Sequence, residues 1–196
     1  MARRKINKIP VRLTLLAVAL LLLLIFLFVL VPSKTSTAKQ WNLTQRFAIL
    51  SQAHTNLCAA PTFVGPMDNS SFIQGACCSF MNFTSYVEQV TGLRNYSSIS
   101  LIPPDPYNIS VSLAKTLLSY QNLTLSPAQQ ATFDSAMNMS SPCCCHCWRW
   151  YAFAGQAKYL IVHYNFSASR IATVWELEDG CGGPLNSAGF NPQATG

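Results

Sequence analysis

Between Leu13 and Val31 the chain carries no charged residue, and Thr14 is the only polar side chain in a run built of Leu, Val, Ala, Ile and Phe. As a helix rising 1.5 Å per residue, such a run covers roughly 28 Å, close to the ~30 Å hydrocarbon thickness of a bilayer. It predicts a transmembrane signal anchor over residues 13–32. The alternative is a cleaved secretory signal, whose apolar part runs about 7 to 15 residues before a small-residue cleavage site. Only Ser36-Thr37-Ala38 weakly resembles such a site. No Cys lies near the end of the run, so a lipid anchor on cysteine has no attachment point there.

Arg3, Arg4, Lys5, Lys8 and Arg12 precede the run, while Lys34 and Lys39 alone follow it closely. Positive charge stays inside, which predicts a cytoplasmic basic tail over 1–12 and an extracytoplasmic part over 33–196. The localisation expected is the cell membrane, single-pass, with the lipid bilayer as partner of residues 13–32. Removing these five from the 13 Lys and Arg leaves eight basic against seven acidic residues outside. The exported part is therefore nearly neutral, and the basic patch that a nucleic-acid-binding protein needs is absent.

Eight N-x-[ST] acceptors occur after the run, at Asn42, Asn69, Asn82, Asn95, Asn108, Asn122, Asn138 and Asn165. They account for eight of the 11 asparagines there, far above the chance fraction, and predict a glycoprotein. The low charge of the exported part fits a carbohydrate coat that supplies solubility.

The domain plan is a stalk over 33–40, a cysteine-rich domain over 41–183 and a tail over 184–196. Helix signals dominate, so the fold expected is all-α, with irregular Pro-rich loops. Trp41–Ala53, Tyr86–Leu93 and Ser110–Leu118 read as helices. Leu101–Tyr107, with three prolines, is extended or turned and divides the domain into two packed halves. Ser126-Pro127-Ala128-Gln129 starts a helix running to about Met139 by its capping-box pattern. Ser141-Pro142 repeats that start and predicts a long, central, buried helix to His163, with His163 in a core or capping role. A last helix begins at Asn165 or Ser167, carries Ile171, Val174 and Trp175, and stops at Gly180. Glu176, Glu178 and Asp179 at its end either have a partner or, as expected of surface carboxylates, face water.

The eight cysteines are Cys58, Cys77, Cys78, Cys143, Cys144, Cys145, Cys147 and Cys181, four of them within five residues. Three chemistries suit them. In an oxidising compartment an even count reads as disulfides, with all eight as candidates and the central helix stapled to the scattered four. On a regular helix Cys143, Cys144 and Cys145 aim to three sides and cannot all reach one ion. The metal reading uses Cys143, Cys144, Cys147 and His146, with His54 and Cys58 sharing a face of the first helix, and thiolate with imidazole suits Zn(II) or Cu(I). The third reading is a thiol–disulfide oxidoreductase through Cys144-x-x-Cys147 at a helix start, where the dipole and His146 lower a thiol pKa. No G-x-S-x-G, H-E-x-x-H or Gly-rich phosphate loop is present, so no catalytic residue is assigned and an enzyme is not the expected class. The function expected is a membrane-tethered domain binding a soft metal or a thiol partner, with other surface proteins as further partners. The alternative is a purely structural, disulfide-stapled surface glycoprotein.

Pro142-Cys-Cys-Cys-His-Cys-Trp-Arg-Trp-Tyr151, with Ala157-Lys-Tyr-Leu160, Ala172-Thr-Val-Trp175, Asp179-Gly-Cys-Gly-Gly183, Gly75-Ala-Cys-Cys-Ser79, Tyr86-Val-Glu-Gln89 and Ile102-Pro-Pro-Asp-Pro-Tyr107, resembles an uncharacterised family of small exported or membrane-anchored prokaryotic proteins with a CCCxCWRW signature. The resemblance implies a distinct cysteine domain in a prokaryote, with the sequons favouring an archaeon, and implies no mechanism.

Overall fold

A computed structural model describes residues 34–182, with side chains from Asn42 onward. The segment 13–32, where the transmembrane anchor is expected, and the tail over 184–196 lie outside the described residues. Among the described residues no helix is long and apolar enough to cross a membrane. A compact unit begins at Leu43, after a separate unit ending at Asn42.

The described residues form a mainly helical fold with six α-helices: α1 (Lys34–Leu50), α2 (Phe83–Leu93), α3 (Val111–Ser119), α4 (Pro127–Met139), α5 (Trp148–Tyr164) and α6 (Ala168–Glu178). The all-α expectation is corrected by one small sheet, in which β1 (Phe72–Gln74) pairs antiparallel with β2 (Asn108–Ser110). Its cause is local. The prolines before Tyr107 keep the chain extended, and Ile73 and Ile109, directly opposite one another, are both buried.

Helix starts follow the cap chemistry. Asn82, Ser110 and Ser167 each accept from a backbone N–H three residues on, and Ser126 with Gln129 completes the capping box of α4. Helix α1 covers the segment expected as a stalk and ends at Leu50, short of Ala53.

Helix α5 is the central buried element, with Trp148, Phe153, Ala157, Leu160 and Ile161 in the main core against Leu117, Ile171, Val174 and Trp175. A second core joins Leu43, Leu50, Tyr86, Val90 and Tyr107. The Pro-rich loop connects these cores rather than dividing them, because Ile102 belongs to the first and Tyr107 to the second. Asp105 anchors it: the buried carboxylate accepts from Arg46, from the Tyr86 hydroxyl at 3.0 Å and from the Tyr107 N–H at 3.0 Å.

Three expectations fail. Helix α5 starts at Trp148, not near Ser141, because the Ser141 hydroxyl donates to the Cys143 carbonyl instead of capping a helix. His163 is exposed, its ring against Tyr159, so of its two expected roles the core one fails, while it does lie in the last turn of α5, where the capping one would place it. Glu178 and Asp179 are buried rather than solvated.

Candidate metal centre

Because residues 143–147 form a bent loop, the argument from helical directions does not apply to them. The loop turns tightly, with the Cys147 N–H donating to the Cys145 carbonyl, and Trp148 N–H then bonds to the Ala59 carbonyl at 2.7 Å. That bond brings the Cys58 segment to the start of α5. Trp148 Nε1 adds a second tie by donating to Asn56 Oδ1 at 3.2 Å.

The other two segments are zipped together. Cys77 N–H donates to Gly180 O, while Cys78 and Ser79 N–H both donate to Cys181 O. Gly182, at φ +104°, makes this approach feasible, since a Cβ there would lie 2.1 Å from Ser79 O. Gly180 stands just past the end of α6, where a helix stop is expected, but without the left-handed conformation usual there, and it has a second role. A Cβ at Gly180 would lie 2.0 Å from Arg149 Nη2.

Four separate chain segments thereby deliver all eight sulfurs to one cluster. Five triads have donor atoms within 4.8 Å of one another: Cys58/Cys145/Cys147, Cys77/Cys78/Cys181, Cys77/Cys143/Cys147, Cys78/Cys144/Cys145 and Cys143/Cys144/Cys181. Every cysteine belongs to at least one triad. The cluster has a buried floor of Cys143, Cys147 and Cys181 and an exposed rim of Cys58, Cys78 and Cys144.

The contacts are one-to-many. Cys181 Sγ lies 2.7 Å from Cys144, 3.2 Å from Cys143 and 3.8 Å from Cys77. Cys78 Sγ lies 3.2 Å from Cys77, 3.6 Å from Cys144 and 3.8 Å from Cys145. All eight thiols are free, and these separations exceed the ~2.05 Å of an S–S bond. Tetrahedral zinc with Zn–S near 2.3 Å requires an S···S edge of about 3.8 Å. Contacts at 3.6 to 3.8 Å, including Cys143–Cys147 at 3.7 Å, match that edge, whereas the shorter ones must spread to admit an ion.

Proton affinities divide sharply within the cluster. Contacts from Cys147, Cys181 and Cys77 hold Cys143 far below the ordinary thiol range. Contact with Cys143 pushes Cys77 and Cys181 up, and burial raises Cys145 and pushes Cys144 up to about 12. One thiolate forms readily and then opposes the next. A cation among the sulfurs would favour the thiolate form of each.

The two histidines stand apart. His146 is exposed with its ring edge-on to Trp150 at 4.7 Å, and His54 sits in the loop after α1, so neither joins a triad. Helical pairing of His54 with Cys58 fails because α1 ends at Leu50. No triad holds both Cys144 and Cys147, the pair of the oxidoreductase reading. The site gains residues that the metal reading omitted: Cys77, Cys78, Cys145 and Cys181, whose sequence signal was the adjacent pair and the Gly-flanked Cys181.

Behind the floor lies a buried polar layer. Arg149 is fully buried, donates to the Pro106 and Glu178 carbonyls, and sits near the Trp148 and Phe153 rings. Gln156 donates to Glu178 Oε1 at 2.6 Å, and the Asp179 carboxylate accepts from the Cys181 N–H at 3.1 Å. Burial raises Glu178 to about 8. This layer fixes the 179–182 turn that carries Cys181.

No family model, no curated protein and no solved structure matches the chain. The resemblance to the CCCxCWRW family thus rests on its own motif residues, and what stands is a cysteine-rich protein with eight closely packed cysteines.

Proposed function

We propose that the eight cysteines form a thiolate centre for a soft metal, Cu(I) or Zn(II), in an extracytoplasmic domain tethered to the membrane by residues 13–32. The observation that carries the metal reading is the one-to-many sulfur contact. A disulfide joins each sulfur to one partner, whereas bridging thiolates share several neighbours, and Cys181 and Cys78 each have three. The tether and its direction are supported by the apolar run and the five basic residues before it. Surface proteins that exchange the ion are the partners this role calls for.

The test is to purify the protein anaerobically, count metal by elemental analysis and count thiols by alkylation before and after chelation. Stoichiometric Zn or Cu, with thiols that become alkylatable only after the chelator, is the expected result. Four bridges with no metal would replace this reading with a disulfide-stapled scaffold. The close Cys144–Cys181 approach names the bridge to look for first in that case.

A further inference from the structure

Beside the exposed rim lies a cavity of about 290 Å³ whose wall includes Cys77, Cys78, His54 and Met81. Two cysteines, a histidine and a methionine are among the residues that line it, and no Asp, Glu, Lys or Arg does. Hard cations therefore find no carboxylate there. A thioether is a ligand for Cu(I) and contributes little to Zn(II), so the wall selects between the two metals that suit the centre itself. His54 joins no triad with Cys77 and Cys78, so these three donors do not hold one ion together and an ion taken up at His54 has to be passed on to the cysteine pair.

From this wall the sulfurs run inward in an unbroken series. Cys78 lies 3.6 Å from Cys144, Cys144 lies 2.7 Å from Cys181, Cys181 lies 3.2 Å from Cys143 and Cys143 lies 3.7 Å from Cys147. Exposure falls along the same path: Cys78 and Cys144 are exposed, and the last three are buried.

We infer that this cavity is the loading site for Cu(I), where His54 and Met81 receive the ion from a small soluble Cu(I)–thiol complex and pass it to Cys77 and Cys78. The inference rests on the thiolate-centre reading and names its metal and its route. At the first hand-over the neutral His54 nitrogen and Met81 sulfur bond to copper as a bond to the carrier's thiolate breaks, and that thiolate takes its proton from water. At each later one a cysteine S–Cu bond forms as a bond to the departing ligand breaks, and the proton of the incoming thiol passes to a departing thiolate or to water. Copper stays Cu(I) throughout, so no electron is exchanged.

The experiment mixes the full-length, reduced protein with Cu(I)–glutathione under anaerobic conditions. Thiolate-to-copper charge-transfer absorbance is followed by stopped flow, and bound copper is counted at the end. The double variant His54→Gln/Met81→Leu should load at least about tenfold more slowly, on the scale of losing supporting groups at a metal site, with its final copper content unchanged. Zn(II) uptake should keep the wild-type rate, and Met81→Cys, which keeps a soft sulfur, should load at close to the wild-type rate. An unchanged Cu(I) rate in the double variant, or a rate that falls together with the final copper content, overturns the loading site. A wild-type protein that takes up no copper overturns the centre, and the loading site with it, and is distinguished by the end-point alone.

Discussion

Cys143 and Cys181 are separated by 38 positions in the chain, yet their sulfurs stand 3.2 Å apart on the buried floor of the cluster. Cys181 also contacts Cys77 and Cys144, whereas Cys58 belongs to one triad and is exposed. Cys181→Ser should therefore lower the metal bound per protein more than Cys58→Ser does. Elemental analysis after gel filtration measures both, and equal losses would contradict a shared floor.

Gly180 lies against the guanidinium of Arg149, with no room for a methyl group. Arg149 is fully buried and held by the carbonyls of Pro106 and Glu178, so it cannot swing into solvent. Gly180→Ala should destabilise the fold by about 1 to 3 kcal/mol, the usual cost of overpacking. It should also displace Cys181, the next residue. Urea unfolding gives the stability, and metal content in the same preparation gives the displacement; a variant as stable as the parent would show that Arg149 is free to move.

Much of the scaffold was legible because its signals are local. Ser126-Pro127-Ala128-Gln129 carries its own cap, and the apolar circumference of Trp148–Ile161 announces a buried helix whatever surrounds it. The start of α5 was not legible. Ser141-Pro142 has the composition of a cap, but the pull of four thiols toward Cys77, Cys78 and Cys181 is a tertiary effect that no local pattern carries. Glu178 failed for a similar reason, since its partner Gln156 lies 22 positions away on α5. The cysteines themselves were legible as a set. Their convergence was not, because it depends on where the 77–79 and 180–182 backbones zip together.

Glu178 makes stability depend on pH in an unusual direction. Burial raises its folded pKa to about 8, above the ordinary carboxylate value that it regains on unfolding. Below the unfolded pKa both states hold the proton and the group costs nothing. Between about 4.3 and 8 the unfolded state releases the proton while the folded state keeps it, so stability should fall as pH rises through that window, by at most about 5 kcal/mol. Glu178→Gln, which mimics the protonated form, should flatten this dependence and be the more stable protein at pH 8. Denaturant unfolding of both proteins in one metal state from pH 5 to 8 is the measurement, and parallel curves would remove Glu178 from the account.

Orientation and glycosylation can be read together from the sequons, because their asparagines differ in access. Seven of the eight are exposed, and Asn82 caps α2 through its Oδ1, which leaves its nitrogen available to a sugar. Asn108 differs: it is half-buried in β2 and accepts from Gln74 Nε2 at 3.0 Å. A glycan on Asn108 would have to displace that pairing and open the only sheet among the described residues. Glycopeptide mass spectrometry of the protein from its native membrane should find sugar at several exposed acceptors and none at Asn108. Protease added to intact cells should at the same time remove epitopes placed after residue 33 and spare one placed before Leu13. A protected carboxyl-terminal epitope would reverse the orientation, and an intact mass equal to the unmodified 21.6 kDa would remove the glycan.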